Sequence, residues 1–236
     1  MNSFLKTWLK CRDYLSYESL GGPKILKASW VINLQKVGSL PFVLLLMWTY
    51  DCYTPTAWIY AALHGSYGLC WLLKDSAFPD PNWEKKVTFC GALLMWLLVL
   101  GPYWIAPIII TTQKVEAPLW LLFAATFMYV LGVVIMMCSD AQKYFTLKIK
   151  RGLIMDGFFA YVRHPNYLGE IIIYASFALL AKHWLPWAVL GWVWLGLFLP
   201  NILSKEASMA RYPEWMQYKA RTGFLLPRIF KKTITS

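Results

Sequence analysis

Two uncharged runs, 87–110 and 117–138, constrain this chain more than anything else in it. Each is long enough, at about 1.5 Å per helical residue, to cross the ~30 Å hydrocarbon core of a bilayer. A segment in lipid must satisfy its own backbone hydrogen bonds, which favours helices. Four further apolar stretches, about 31–50, 56–73, 167–182 and 185–203, bring the expected spans to six. The expected fold is all-α, a polytopic transmembrane helix bundle. Gly101-Pro102 and Pro107 predict a kink or an early end in the third span. Pro186 predicts a tight turn between the last two spans, which form a helical hairpin, and Pro200 a bend near the end of the sixth.

Charged residues make up 15% of the chain, against about 25% in soluble domains, and hydrophobic residues 58%. That leaves room for one transmembrane domain, 31–236, behind an N-terminal interfacial segment, 1–30. Within the segment, Phe4, Leu5, Trp8 and Leu9 share a helical face with Lys6 and Lys10 near it, which predicts a short helix on anionic lipid. The first 36 residues lack the apolar core of a secretory signal. The five cysteines form no CxxC and no Cys/His cluster, so no metal site is expected. They read as small hydrophobes, at least Cys70, Cys90 and Cys138 lying in or beside spans.

The net charge of +11 does not point to nucleic acid, because the cations flank the spans. With the N-terminus placed in the cytosol or its equivalent, the N-terminal segment, loop 74–86, loop 139–166 and the tail from 204 together hold 21 of the 23 Lys and Arg. Only Lys114 and Lys182 fall on the far side, so the positive-inside rule puts both termini on the cytosol-like face. Lys36 counts here among the flanking N-terminal charges. Loop 139–166 is long for a compact protein, and long ordered connections tend to be functional.

That loop ends in Arg163-His164-Pro165-Asn166-Tyr167-Leu168-Gly169-Glu170, a polar octapeptide set against an apolar stretch. Ionisable residues at a membrane edge are costly unless something polar meets them. Lys143 and Arg163 suit phosphate oxygens. Pro165 disfavours helix at His164, so Asn166 to Gly169 can open the fifth helix with free N–H groups aimed at an anion. Lys148, Lys150 and Arg151 also read as plain flanking charges. In the tail, Arg211, Tyr212, Tyr218 and Arg221 suit phosphate, ribose or a stacked ring, or equally an interfacial aromatic belt. In the second span, Tyr60, His64 and Tyr67 share one helical face. His64 and Tyr67 are the candidate catalytic pair, able to polarise a carbonyl or supply a proton, against an alternative of interhelical hydrogen bonding beside Gly65 and Gly68.

Tyr161 to Glu170 resembles a motif shared by membrane sterol reductases, steroid 5α-reductase-like proteins and isoprenylcysteine carboxyl methyltransferases. Asp140-Ala141-Gln142-Lys143, Arg211-Tyr212-Pro213 and Leu226-Pro227 resemble its flanks, and the likeness covers roughly 58–230. The resemblance implies a cytosol-facing cofactor pocket, with Gln142, Lys143, Arg163, His164, Asn166, Tyr167, Glu170, Arg211 and Tyr212 as cofactor-binding candidates. Asn after His-Pro and an acid after Gly resemble the reductases, where they help hold NADPH. The methyltransferases typically differ at both positions and carry a paired Glu-Glu in the tail, where this chain has Lys205-Glu206. The Arg-Asp pair of sterol reductases has no clean counterpart, and no Glu inside a span matches the Glu–Tyr pair of steroid 5α-reductases.

The expectation is an NADPH-dependent reductase acting on a C=C bond of a steroid-like or other lipid substrate in the membrane. One alternative is a lipid or isoprenylcysteine methyltransferase using S-adenosylmethionine. Another is a non-catalytic accessory subunit alongside other membrane subunits.

Overall fold

The computed structural model describes residues 3–228. Lys231 and Lys232, counted in the basic tail, lie outside the described residues. The order is α1 (Ser3–Asp13), α2 (Ala28–Thr49), α3 (Pro55–Ala77), α4 (Phe89–Thr112), α5 (Leu119–Ile149), α6 (Pro165–Leu180), α7 (Trp184–Met209) and α8 (Trp215–Arg221). The molecule is an all-α bundle, and helices occupy all six predicted stretches. Four of them, α2, α4, α5 and α7, are long and apolar enough to cross a membrane. They turn large apolar side chains such as Trp48, Phe123, Phe127 and Leu195 outward, as a membrane protein does toward lipid.

Local chemistry explains the boundaries. The Thr54 and Thr88 side chains accept from Ala57 N and Gly91 N and cap α3 and α4. One short antiparallel ladder, β1 (Leu26–Lys27) with β2 (Lys86–Val87), pins the start of α2 beside the start of α4. The predicted kink in α4 is a π turn at Trp96–Leu100 followed by a 3₁₀ turn at Gly101–Trp104. A second π turn, Trp194–Phe198, precedes Pro200 in α7. Proline supplies no N–H, so the ladder slips just ahead of it. Tryptophans take up carbonyls in both turns. Trp192 Nε1 donates to Leu98 O at 2.9 Å, and Trp8 Nε1 to Gly196 O at 2.8 Å. The latter leans α1 on α7, where Arg12 also meets Asn201.

Three sequence expectations need correction. Segment 139–149 is not loop: α5 runs 31 residues to Ile149, because Ser139–Ile149 contains no Gly or Pro to stop it. Lys36 and Lys74 are not flanking charges but are buried at 3% and 7% exposure, each held by partners inside the bundle. Cys138 faces outward and is exposed; Cys52 is the buried thiol.

Helices α5 and α6 meet at two glycines. A Cβ on Gly132 would lie 2.8 Å from Gly169 O, and one on Gly169 would lie 2.6 Å from Met136 N. Small residues permit this approach of backbones. Gly169 of the octapeptide is thus a packing residue. Gly68 serves α2 and α3 alike, its missing Cβ leaving room for Lys36 O.

Candidate functional site

The end of α3, the last turns of α5, the loop after it, the start of α6 and the end of α7 enclose a cavity of about 590 Å³. That lies within the range of small-molecule and cofactor pockets. Because α5 continues past its apolar run, Asp140, Lys143, Tyr144 and Lys148 stand along one wall. Loop 74–86, segment 139–166 and the tail, three of the four segments in the charge count, line it; the N-terminal segment does not.

Arg163 is buried, and its Nε and Nη1 are engaged. Nε lies 2.5 Å from Glu206 Oε1, and Nη1 donates to Thr222 O at 2.7 Å and Lys219 O at 3.3 Å. Val162 and Gly223 form a parallel bridge, and Arg163 N donates to Gly223 O at 3.0 Å. Arg163 therefore ties the tail onto the octapeptide while one edge lines the cavity. His164, 3% exposed, has Nε2 at 3.4 Å from Glu206 Oε1 without hydrogen-bond geometry. Burial lowers its pKa to about 4, against the pull of Glu206 and with Lys205 adding to the fall. His164 is a neutral wall residue at neutral pH.

Asn166, in the first turn of α6, lines the cavity, and its side chain makes no hydrogen bond to a described residue. Glu170, one turn further along α6, lies off the cavity wall. It makes no ion pair within 4 Å among the described residues but lies in the field of Lys74, Asp140, Lys36 and Lys205. Tyr167 is off the cavity wall, packed on Phe198 under the Lys205 ammonium at 4.6 Å.

Gln142 shapes the wall without lining it. Nε2 donates to Asp156 O at 3.1 Å and Oε1 accepts from Phe158 N at 3.0 Å. It holds the turn at Gly157, whose φ of +53° suits glycine. Lys143 reaches Asp80 at 3.5 Å and Asp140 at 3.6 Å. Burial raises the Asp80 carboxyl, but Lys143 and the Asn82 N–H outweigh it and hold it below its ordinary value. Lys148, Arg151 and Arg211 stand exposed around the cavity. Arg211 Nη2 donates to Tyr212 OH at 3.1 Å.

His64 and Tyr67 lie apart from this cavity, in the aromatic core of the bundle. His64 stacks on Phe177 at 4.6 Å and pairs through Nδ1 with Tyr60 OH at 2.9 Å. Tyr67 meets Tyr174 edge-on at 5.6 Å.

The sequence reading missed Lys74 and Asp80 as cavity residues and Lys36 as a core residue. Signals existed for two of them. Lys74 continues the helical face of Tyr67 and Trp71, and Lys36 is a cation inside an apolar run.

The arrangement offers a cationic rim, aromatic walls, and an uncommitted amide and carboxylate at the head of α6. Those groups fit a dinucleotide: cations for phosphates, rings for a base, and amide plus acid for a carboxamide.

Two uncharacterised proteins of Schizosaccharomyces pombe are similar in sequence. One is 54% identical over 58 residues, 25% of this chain and 19% of that protein. The other is 33% identical over 93 residues, 37% of this chain and 27% of that protein. The aligned parts span about a fifth to a quarter of these relatives. A family profile described as "protein of unknown function (DUF1295)" matches residues 80–222, more than half of the chain and the whole cavity apart from Lys74, Phe78 and Pro79. The chain belongs to this family of uncharacterised membrane proteins.

Proposed function

We propose that the protein is a steroid 5α-reductase-like enzyme of the membrane that uses NADPH to reduce a C=C bond of a steroid-like or other lipid. One observation carries the reading. Asn166 on the cavity wall and Glu170 one turn along α6 stand uncommitted, and Lys148, Arg151 and Arg211 on the rim have no carboxylate partner among the described residues, while Lys143 shares Asp80 and Asp140. NADPH, when bound, would supply hydride.

The chain's own residues do the rest. Lys143, Lys148, Arg151 and Arg211 hold phosphates through charge-assisted bonds. Tyr144 and Tyr212 offer faces to the base. Asn166 and Glu170 orient the nicotinamide end, while Gln142 and Arg163 fix the walls. His64 and Tyr67 are the proton-donor candidates on the lipid side. The cavity opens to the cytosol or its equivalent, with both termini on that side.

The four rim cations favour a phosphate-bearing cofactor over S-adenosylmethionine. Binding to the purified protein tests this by Trp quenching. NADPH should bind, and Asn166→Ala should weaken it about tenfold, as loss of a hydrogen bond near charge does. Displacement by S-adenosylhomocysteine but not NADPH would move the assignment to a methyltransferase. Binding of neither, together with co-migration in a large complex, would favour an accessory subunit.

A further inference from the structure

The end of α5, 139–149, lies beyond the apolar run and carries two faces. Asp140, Lys143, Tyr144 and Leu147 line the cavity; Phe145, Ile149 and the following Lys150 do not. Phe145 and Ile149 are exposed instead, Ile149 at 88%. Neither is a stray surface residue. Phe127, Val130, Val134 and Cys138 are exposed along the bilayer part of α5, and Phe145 and Ile149 continue the series. Steps of three, four and seven residues keep to one helical face, so the lipid-facing stripe runs on to the end of the helix. Phe158 stands exposed beside it, its N–H donated to Gln142 Oε1, one turn before Phe145.

Length decides where this stripe can lie. At ~1.5 Å per residue, an upright α5 would place Phe145 about 10 Å and Ile149 about 16 Å past Cys138. The head-group layer on each side of a bilayer is only about 5–8 Å deep, so both side chains would stand beyond it, in water. A helix end that leans into the interface keeps them buried in the acyl boundary. The charges fit that lean. Lys148, Lys150 and Arg151 are exposed at the same end, and none makes an ion pair among the described residues. An apolar face edged by Lys and Arg is the composition that settles at an anionic membrane surface.

We propose that the end of α5 is an interfacial element that leans into the head-group layer at the cavity's end of the bundle and binds anionic phospholipid there. Phe145, Ile149 and Phe158 enter the acyl boundary. Lys150 meets the anionic head group through charge-assisted hydrogen bonds. Lys148 and Arg151, on the edge shared with the cavity, lie in the same negative field. The surface rests on the continuity of the stripe and on the flanking cations, and it stands whatever the cavity binds. Its consequence is that one wall of the cavity is anchored in the bilayer surface, so the mouth opens at the leaflet.

A photo-crosslinking residue, p-benzoylphenylalanine, reports what touches this face. It replaces Ile149, whose exposure leaves packing undisturbed, and in a second sample Phe127, the reference for the bilayer. The full chain is placed in nanodiscs of equal phosphatidylserine and phosphatidylcholine, and mass spectrometry identifies the adducts. Position 149 should capture lipid, with phosphatidylserine favoured about fivefold, as the attraction of one cation to an anionic surface gives. Lys150→Gln should lower that ratio at least about twofold at 149 and leave capture at 127 unchanged. Lipid adducts at 127 with none at 149 would place the helix end away from the membrane and overturn the proposal. Adducts with a second copy of the protein would overturn it too and make the face a protein interface. Equal capture of the two lipids at 149, unmoved by Lys150→Gln, removes the recognition of anionic lipid and sinks it as well.

Discussion

Lys74 Nζ and Asp140 Oδ2 lie 2.6 Å apart with both side chains under 10% exposed, joining α3 to α5 at the cavity. Breaking a buried pair from one side leaves an uncompensated charge and costs about 3–5 kcal/mol. Asp140→Asn should therefore lower the thermal midpoint in detergent sharply. The double variant Lys74→Met/Asp140→Leu should recover much of the loss; if the single variant melts like wild type, the pair carries no stability.

The α5–α6 crossing makes a contrasting prediction. Gly169→Ala forces a Cβ to within 2.6 Å of Met136 N and should cost about 1–3 kcal/mol, as overpacking does. Gly152→Ala meets nothing within 4 Å and should leave the midpoint near wild type. Parallel melts of the two variants check this.

Arg163 gives a local prediction. Arg163→Ala removes the guanidinium that Glu206 and the carbonyls of Lys219 and Thr222 share. Hydrogen exchange should then speed up at Arg163 N and Gly223 N, which close the bridge between the octapeptide and the tail. The amides of α2 should keep their protection.

The helical stretches and the kink in α4 were legible in the sequence because hydropathy and proline chemistry are local. Pro165 opens α6, as the octapeptide implied. The α5 overhang was hidden because hydropathy stops at Ser139 while helix propensity does not. Lys36 and Lys74 were miscounted because loop arithmetic cannot see Tyr174 or Asp140, which approach only across helices. Arg163 looked like a phosphate ligand because Glu206 is 43 residues away in sequence.

His164 supplies the pH test. Burial first, with Lys205 and Arg163 adding and Glu206 opposing, holds it at about 4, whereas the unfolded chain titrates near 6.5. As pH falls, the unfolded state takes the proton first. The contribution to stability is therefore complete above about 6.5 and lost progressively toward about 4. His164→Asn should flatten the midpoint-against-pH curve in that window; an unchanged slope would assign the loss to other groups.

The overhang of α5 has a consequence for how any ligand must be counted. It lifts Lys143 and Lys148 beyond the apolar run that ends at Cys138, whereas Tyr103 and Tyr174 stay among the lipid-facing helices. A ligand of the cavity is counted in moles per litre of water. A lipid that met these helices from the bilayer would be counted as a mole fraction of membrane. Adding lipid at fixed total ligand should dilute the second and leave the first untouched, so an affinity quoted without the lipid amount describes only the cavity.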